Sequence, residues 1–313
     1  MLSSSPLART TQGARGGGYF LRRAWRDRRD FILLVLPAAL LFAAFMLYPL
    51  YYMAHVSTLD WRGLTRQSSF AGIENYVKLL ADERFFIALK QTGIFAFTSL
   101  PVVFPLSFAL GFFLSQRPPG YRILRVVFFT PAIMSLAAQS MMFVGIYMPD
   151  GIINTLLRAV GLDSLTRIWL GNTSTVLAAV IAIYYWGATG WLAVLFFASL
   201  SNLPEELFEA ALMDGANYWT RMWRIAFPLT MDFFGVMLML EFIGTIAGSA
   251  QTVLLLTNGG PGTHSLVLGY LLYEQAFTMH RLGYSQAIGV FVFVIGLAGM
   301  LLIRRATRRS YLA

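Results

Sequence analysis

Along the 313 residues, long apolar runs alternate with short polar ones. Stretches free of Asp, Glu, Lys and Arg extend over 31–59, 91–116, 126–149, 168–204, 242–273 and 282–303. Each holds the roughly 20 apolar residues that a helix needs to cross hydrocarbon, and helices satisfy their own backbone groups where no water is present. Trimmed of polar ends, the runs predict spans near 31–53, 91–115, 126–148, 176–198, 231–256 and 284–303. Six spans put both termini on one side. The reading is an all-α integral membrane protein with one membrane domain over 31–305, an N-terminal tail over 1–30 and a C-terminal tail over 306–313.

The loops carry weaker signals. In residues 54–90, Ile73, Tyr76, Val77 and Leu80 fall at helical spacing and predict short helices lying on the membrane face. In PDGIINTLLRAVGL, residues 149–162, Asn154 reads as a helix start and Gly161 as a stop. TNGGPGTHS, residues 257–265, reads as a turn.

Composition agrees, since 12% of residues are charged, against about 25% in soluble domains. The arginines set the orientation. Segments on the terminal side hold seven cations in 1–30, three in QRPPGYRILR, two in 201–228 and four in RRATRRS, whereas the opposite loops hold eight balanced by seven acids. The positive-inside bias therefore makes both termini cytoplasmic, and it absorbs much of the net charge of +9. SSSPLARTTQGARGGG, ahead of the first span, has the composition of a disordered tail. The first apolar run is too long for a signal-peptide core and reads as a retained span.

Several chemistries are excluded. There is no cysteine, hence no disulfide, thiolate metal site or Cys nucleophile. Lys78 and Lys90 are the sole lysines and neither follows a Gly, so no phosphate loop of the GxxxxGK[ST] kind can be written. His55, His264 and His280 are scattered without metal-ligand spacing and read as solvated loop residues.

The most polar interruption is EAALMDGANYWTRMWRIAFP, residues 209–228. Asn202 and Glu205 have capping-box spacing, and Glu205, Glu206 and Glu209 crowd a helix start, which favours negative charge. A short helix should run from Leu203 to Gly215, a C-terminal glycine. Ala211 and Gly215 share a face beside Ala210 that is almost bare of side chains. A second helix follows, because Tyr218, Trp219, Met222, Trp223 and Ala226 repeat at helical spacing, with Arg221 and Arg224 pointing elsewhere and Pro228 closing it. The residues alone fit two readings, a headgroup anchor or a docking surface.

Two interior features remain. Glu241 lies about ten residues into the fifth span, where an ionisable group costs roughly 2.5–3.5 kcal/mol, so it should face protein or a water-filled cavity. Thr245, Gly248 and Ser249 follow in GTIAGSAQT, a run that suits either a polar path or close helix packing. YYWGATGW, residues 184–191, places aromatic rings near mid-span, with Gly187 and Gly190 allowing backbone approach.

Glu209-Ala210-Ala211, Asp214-Gly215-Ala216, Ile225 and Pro228 resemble the EAA loop of ABC importer permeases. FAGIENYVKLL, RVVFFTPAI, PDGIINTLL, LSNLPEELFEAA and LLLTNGGPG are similar to carbohydrate-uptake permeases of the maltose and glycerol-3-phosphate kind, over nearly the whole chain from about residue 30. Phe227, where the family has Leu, is a conservative departure. The resemblance implies a type I importer permease fold and no cofactor on this chain, with ATP and Mg held by a partner ATPase. It further implies coupling to that ATPase dimer through the loop, a second homologous permease, an extracytoplasmic solute-binding protein and a sugar substrate. It also implies solute contacts from Gly187, Ala188, Trp191, Glu241, Thr245 and Gly248, with Ser249 alongside. An importer for a phosphate ester or amino acid shares the loop, and a proton-coupled secondary transporter would use Glu241 as carrier.

Overall fold

The computed structural model describes residues 32–64 and 67–307. The tail over 1–30 and residues 308–313, with the expectations placed on them, lie outside the described residues. Six stretches among the described residues have the length and apolar composition of membrane spans: Ile32–Val56, Glu83–Ser115, Leu136–Ala159, Val176–Leu200, Met231–Leu256 and Leu282–Thr307.

By its contacts the chain divides after Met53. The first unit, as far as described, is most of helix α1 (Ile32–Val56), an apolar rod on which Tyr48 and Tyr52 stack at 6.1 Å. The second unit holds everything else. After α1 comes a two-stranded hairpin, β1 (Leu59–Asp60) antiparallel to β2 (Ser69–Phe70), which the loop pattern did not signal. Helix α2 (Glu74–Ala81) follows as a short helix, with Ile73, Val77 and Leu80 on the exposed face and Asn75 and Leu79 buried. Asn75 Nδ2 donates to the carbonyls of Ser57 and Leu59 and so ties α2 to the hairpin.

Helix α3 (Glu83–Ser115) begins eight residues before the expected span. Asp82 caps it by accepting from the Arg84 amide at 2.9 Å, and Glu83, Arg84 and Lys90 sit in its first turns. Charge marks where hydrocarbon begins, and the helix starts earlier.

The third expected span, 126–148, is corrected. It is two helices, α4 (Tyr121–Ile133) and α5 (Leu136–Tyr147), parted where Met134 and Ser135 are extended. Ser135 starts a fresh helix by accepting from the Ala138 amide, and Pro131 supplies no amide to the preceding turn. Helix α6 (Ile152–Ala159) is capped by Gly151, not Asn154, while Gly161 at φ +77° ends that segment as expected. Asn154 is buried and binds the carbonyls of Met148, Pro149 and Arg167 and the amide of Arg167.

Helix α7 (Val176–Leu200) makes its most extensive contact with α3. Gly111 permits it: a Cβ there would stand 2.8 Å from Phe196 Cβ and 2.9 Å from the Phe197 amide. Helices α8 (Glu205–Met213) and α9 (218–229) lead into α10 (Met231–Leu256). The TNGGPGTHS stretch is a turn, with Asn258, Gly259 and Gly262 at positive φ and a cis Gly260–Pro261 bond. It is pinned to α3, because Gln91 Nε2 donates to the Thr263 carbonyl and Thr92 Oγ1 accepts from the Leu268 amide. Helix α11 (Leu268–Tyr273) and a wide turn to Thr278 precede α12 (Leu282–Thr307). Gly235 of α10 lies against Thr307, so the C-terminal end of α12 and the α8–α9 segment share one end of the unit.

Candidate transport site

Two places gather the residues singled out from the sequence. The first is the segment over 201–228. The capping box does not form: Asn202 donates to the Ala198 carbonyl within the end of α7, and Pro204 stands at the start of α8, so the helix begins at Glu205. Its end is a glycine stop. Gly215 takes φ +77°, its amide donates to the Leu212 carbonyl at 3.0 Å, and the Ala216 amide donates to Ala211 at 2.8 Å, the pairing of a Schellman motif. Asn217 then opens α9 by accepting from the Thr220 amide at 2.8 Å.

The bare face is divided by this geometry. Ala211 is turned into the bundle, whereas Glu209, Ala210, Asp214 and Gly215 are exposed, and Ala216, Ile225 and Pro228 are half-buried. Around them stand Leu212 and Met213, the latter 88% exposed, and the acids Glu205 and Glu206. Pro228 does not end α9. The chain stays helical through Leu229 and breaks at Thr230, whose hydroxyl returns to the Ala226 carbonyl.

Met222 and Ala226 form the inner face of α9 and are fully buried, while Trp219 and Trp223 are exposed. Arg221 turns inward, donating from Nη1 to Gln116 Oε1 at the end of α3. Burial raises the Tyr218 phenol above its ordinary pKa, opposed by the nearby Arg221 charge. Phe112 of α3 packs on both Phe208 and Tyr218, clamping the two short helices to one ring.

The second place is a cavity of about 280 Å³ between α4, α5, α7 and α10. Gly187, Ala188, Trp191, Glu241 and Gly248 line it together. Thr245 and Ser249 do not: both are fully buried and turn their hydroxyls to the Glu241 and Ile246 carbonyls of their own helix. Glu241 is 4% exposed and accepts from Ser99 Oγ of α3 at 2.8 Å, the paired arrangement that a buried carboxyl requires. The glycines keep the cavity open, since a Cβ at Gly187 would meet Gln139 Oε1 at 2.7 Å and one at Gly248 would meet the Tyr184 ring at 3.0 Å.

Gln139 was not foreseen as a lining residue. Its signal was present, a lone amide in the apolar run SLAAQSMM, and its Nε2 donates to the Pro131 and Met134 carbonyls across the break between α4 and α5. Ser99 was hidden among the many small residues of a span.

A multi-span protein with an inter-helix cavity at its interior and an exposed, glycine-bent helix pair at one end has the form of a transport subunit. The profile of the family described as binding-protein-dependent transport system inner membrane component matches residues 102–310, and the chain belongs to that family. The chain is 35% identical over 270 residues to the probable ABC transporter permease protein YurN of Bacillus subtilis (strain 168), covering 85% of this chain and 91% of that protein. It is 30% identical over 329 residues to the diacetylchitobiose uptake system permease protein NgcF of Streptomyces coelicolor (strain ATCC BAA-471 / A3(2) / M145), covering 98% and 93%. A crystal structure of a bacterial ABC transporter involved in import of the acidic polysaccharide alginate shares the fold, with a TM-score of 0.78 over 92% of this chain and 99% of that chain at 22% identity.

Proposed function

We propose that this chain is one permease subunit of an ATP-driven importer for a sugar or sugar-like solute. The observation that carries the reading is the α8–α9 pair: exposed acids and small residues around a glycine stop outside, and a clamp on α3 inside. Such a segment can receive a push from a partner and pass it to the spans. The partner would be an ATPase dimer that holds ATP and Mg, with Glu209, Ala210, Asp214 and Gly215 at the contact and Ala211, Ala216, Ile225 and Pro228 behind it. A second, homologous permease and an extracytoplasmic binding protein complete the assembly, with both termini of this chain in the cytoplasm. Solute would pass by alternating access along Gly187, Ala188, Trp191, Glu241 and Gly248. A sugar suits a cavity in which an aromatic ring, glycines and a hydrogen-bonded carboxyl meet, and NgcF is named for uptake of a disaccharide derivative.

The test is reconstitution of the importer in proteoliposomes. Gly215 has open space beyond its α-carbon but sits at φ +77°, which strains any L side chain by about 1–2 kcal/mol; Gly215→Ala carries that strain alone and should keep uptake, whereas Gly215→Trp should insert yet uncouple ATP hydrolysis from solute uptake. Unchanged uptake by that variant refutes the coupling role. Uptake that collapses with the proton gradient at constant ATP would instead make this a secondary transporter.

A further inference from the structure

A separate cavity, of about 250 Å³, opens at the α8–α9 end, where the last turns of α3 and α7 meet the two short helices, and nothing above uses it. It carries charge of both signs. Arg117, just past the end of α3, and Arg221 of α9 line it together with Glu205 and Glu209 of α8. Two guanidiniums stand against two carboxylates, so the lining is neutral in sum. None of the four makes an ion pair among the described residues. Arg221 donates from Nη1 to Gln116 Oε1 at 3.1 Å, but its Nε–H is buried without an acceptor, which is costly for a charged donor. Arg117 is held at φ +48°, a region that strains any residue but glycine.

Opposite charges that line one small space without meeting leave a gap, and its chemistry selects what can close it. Balanced charge gives no preference to an anion or a cation. A neutral polyol fits, because each hydroxyl both donates and accepts, towards carboxylates on one side and guanidiniums on the other. Ser201, at the end of α7, adds a hydroxyl that bonds nothing among the described residues. Leu203, Phe208 and Leu212 form an apolar side on which the C–H face of a ring can lie, and Phe208 is set there by its contact with Phe112 at 6.1 Å. The volume falls just below the roughly 300–1,000 Å³ of sites for drug-sized ligands, so it suits a single sugar ring.

The position gives such a ligand an effect. Of the residues placed at the ATPase contact, Glu209 lines this cavity while Ala210, Asp214 and Gly215 do not, so the cavity lies behind the contact, between α8 and the bundle. We propose that it is a second sugar site, reached from the cytoplasm, through which sugar already imported slows further import. A ring bonded to α8 and to the ends of α3 and α7 favours the arrangement of those elements seen here, and a push on α8 then works against those bonds. The proposal rests on the importer reading above and adds a ligand that regulates it.

The experiment uses the assembled importer in proteoliposomes, with ATP inside and binding protein outside. The probe is whichever of glucose, N-acetylglucosamine, maltose and cellobiose enters, trapped unlabelled inside while the labelled sugar is offered outside. Initial uptake should fall by about fivefold when the internal sugar stands at about four times its Kd. Two variants remove the site by different means: Arg117→Gly suits the positive φ and takes away a guanidinium, and Ser201→Phe fills the space from an exposed position. Both should load empty vesicles at the wild-type rate and lose the inhibition. Inhibition that persists in both overturns the proposal and gives the effect to the transport cavity, and a wild type that internal sugar does not slow overturns it as well. Trapped glycine betaine, a zwitterion that matches the osmotic load, should leave uptake unchanged; equal inhibition by it overturns the assignment to a sugar. A wild-type importer that takes up none of the four sugars overturns the reading on which the site rests, a result that does not depend on the variants.

Discussion

Adding one carbon at Gly187 tests whether the cavity is shaped by the joint between α4 and α5. A Cβ at that position would stand 2.7 Å from Gln139 Oε1 and 3.5 Å from its amide carbon, so the carboxamide must move. Gln139 is 6% exposed and its Nε2 serves the Pro131 and Met134 carbonyls at 2.9 and 3.1 Å. Each buried acceptor left without a partner costs about 1–3 kcal/mol. If both bonds break, Gly187→Ala should destabilise the protein by about 2–6 kcal/mol on that scale. In a Gln139→Ala background the obstacle is gone and the carbonyls are already unserved, so the same substitution should cost little. The coupling between the two sites should thus approach the whole cost of Gly187→Ala. Thermal unfolding of the four purified proteins in one detergent measures it. Additive effects, within about 0.5 kcal/mol, would show that Gln139 does not bear on Gly187 and would refute the argument.

Two further outcomes follow from the packing. Gly111→Ala should cost more than an ordinary Gly→Ala change in a helix stabilises, because the new carbon meets the Phe196 Cβ and the Phe197 backbone, neither of which can swing aside; a thermal midpoint at or above wild type would contradict this. Asn154→Ala removes a buried amide that bridges the Met148, Pro149 and Arg167 carbonyls and accepts from the Trp169 indole at 3.0 Å. It should cost about 2–4 kcal/mol and speed hydrogen exchange over 148–170 first, so exchange unchanged there would count against the reading.

What could be read from the sequence was set by long-range periodicity, and what could not was set by single side chains. The fifth span was placed at its observed bounds, between Pro228 and the turn residues from Thr257, although Asp232 and Glu241 interrupt its apolar run. The third was not, since the break at Met134–Ser135 depends on Pro131, on the Ser135 cap and on Gln139 reaching back across the gap. Apolar composition is blind to such a joint. Asn154 fails in the same way: read as a helix start, it is buried as a bracket between the carbonyls of Met148, Pro149 and Arg167, and the pattern carried no signal at all for Asn75, which bridges the Ser57 and Leu59 carbonyls. Among the candidate path residues, chain spacing could not say which side of α10 faces the cavity. Glu241 and Gly248 lie on it, while Thr245 and Ser249 satisfy their hydroxyls within the helix.

The same packing explains how a push at one end could be felt in the cavity. Trp223 and Phe227 of α9 meet Phe108 of α3 at 5.7 Å each, Phe108 meets Phe196 of α7 at 5.4 Å, and Phe227 meets Phe234 of α10 at 5.2 Å. Phe104 closes the ring by touching both Phe196 and Phe234. A close-packed aromatic cluster has little room to compress, so α9 cannot shift without carrying α3, α7 and α10. Those are the helices that bear Ser99, Gly187 with Trp191, and Glu241. The cavity is walled on its other side by α4 and α5, whose joint at Met134–Ser135 is bridged by Gln139. Under the coupling role proposed above, a displacement of α9 would reach the cavity through α7 and α10, which form part of its wall.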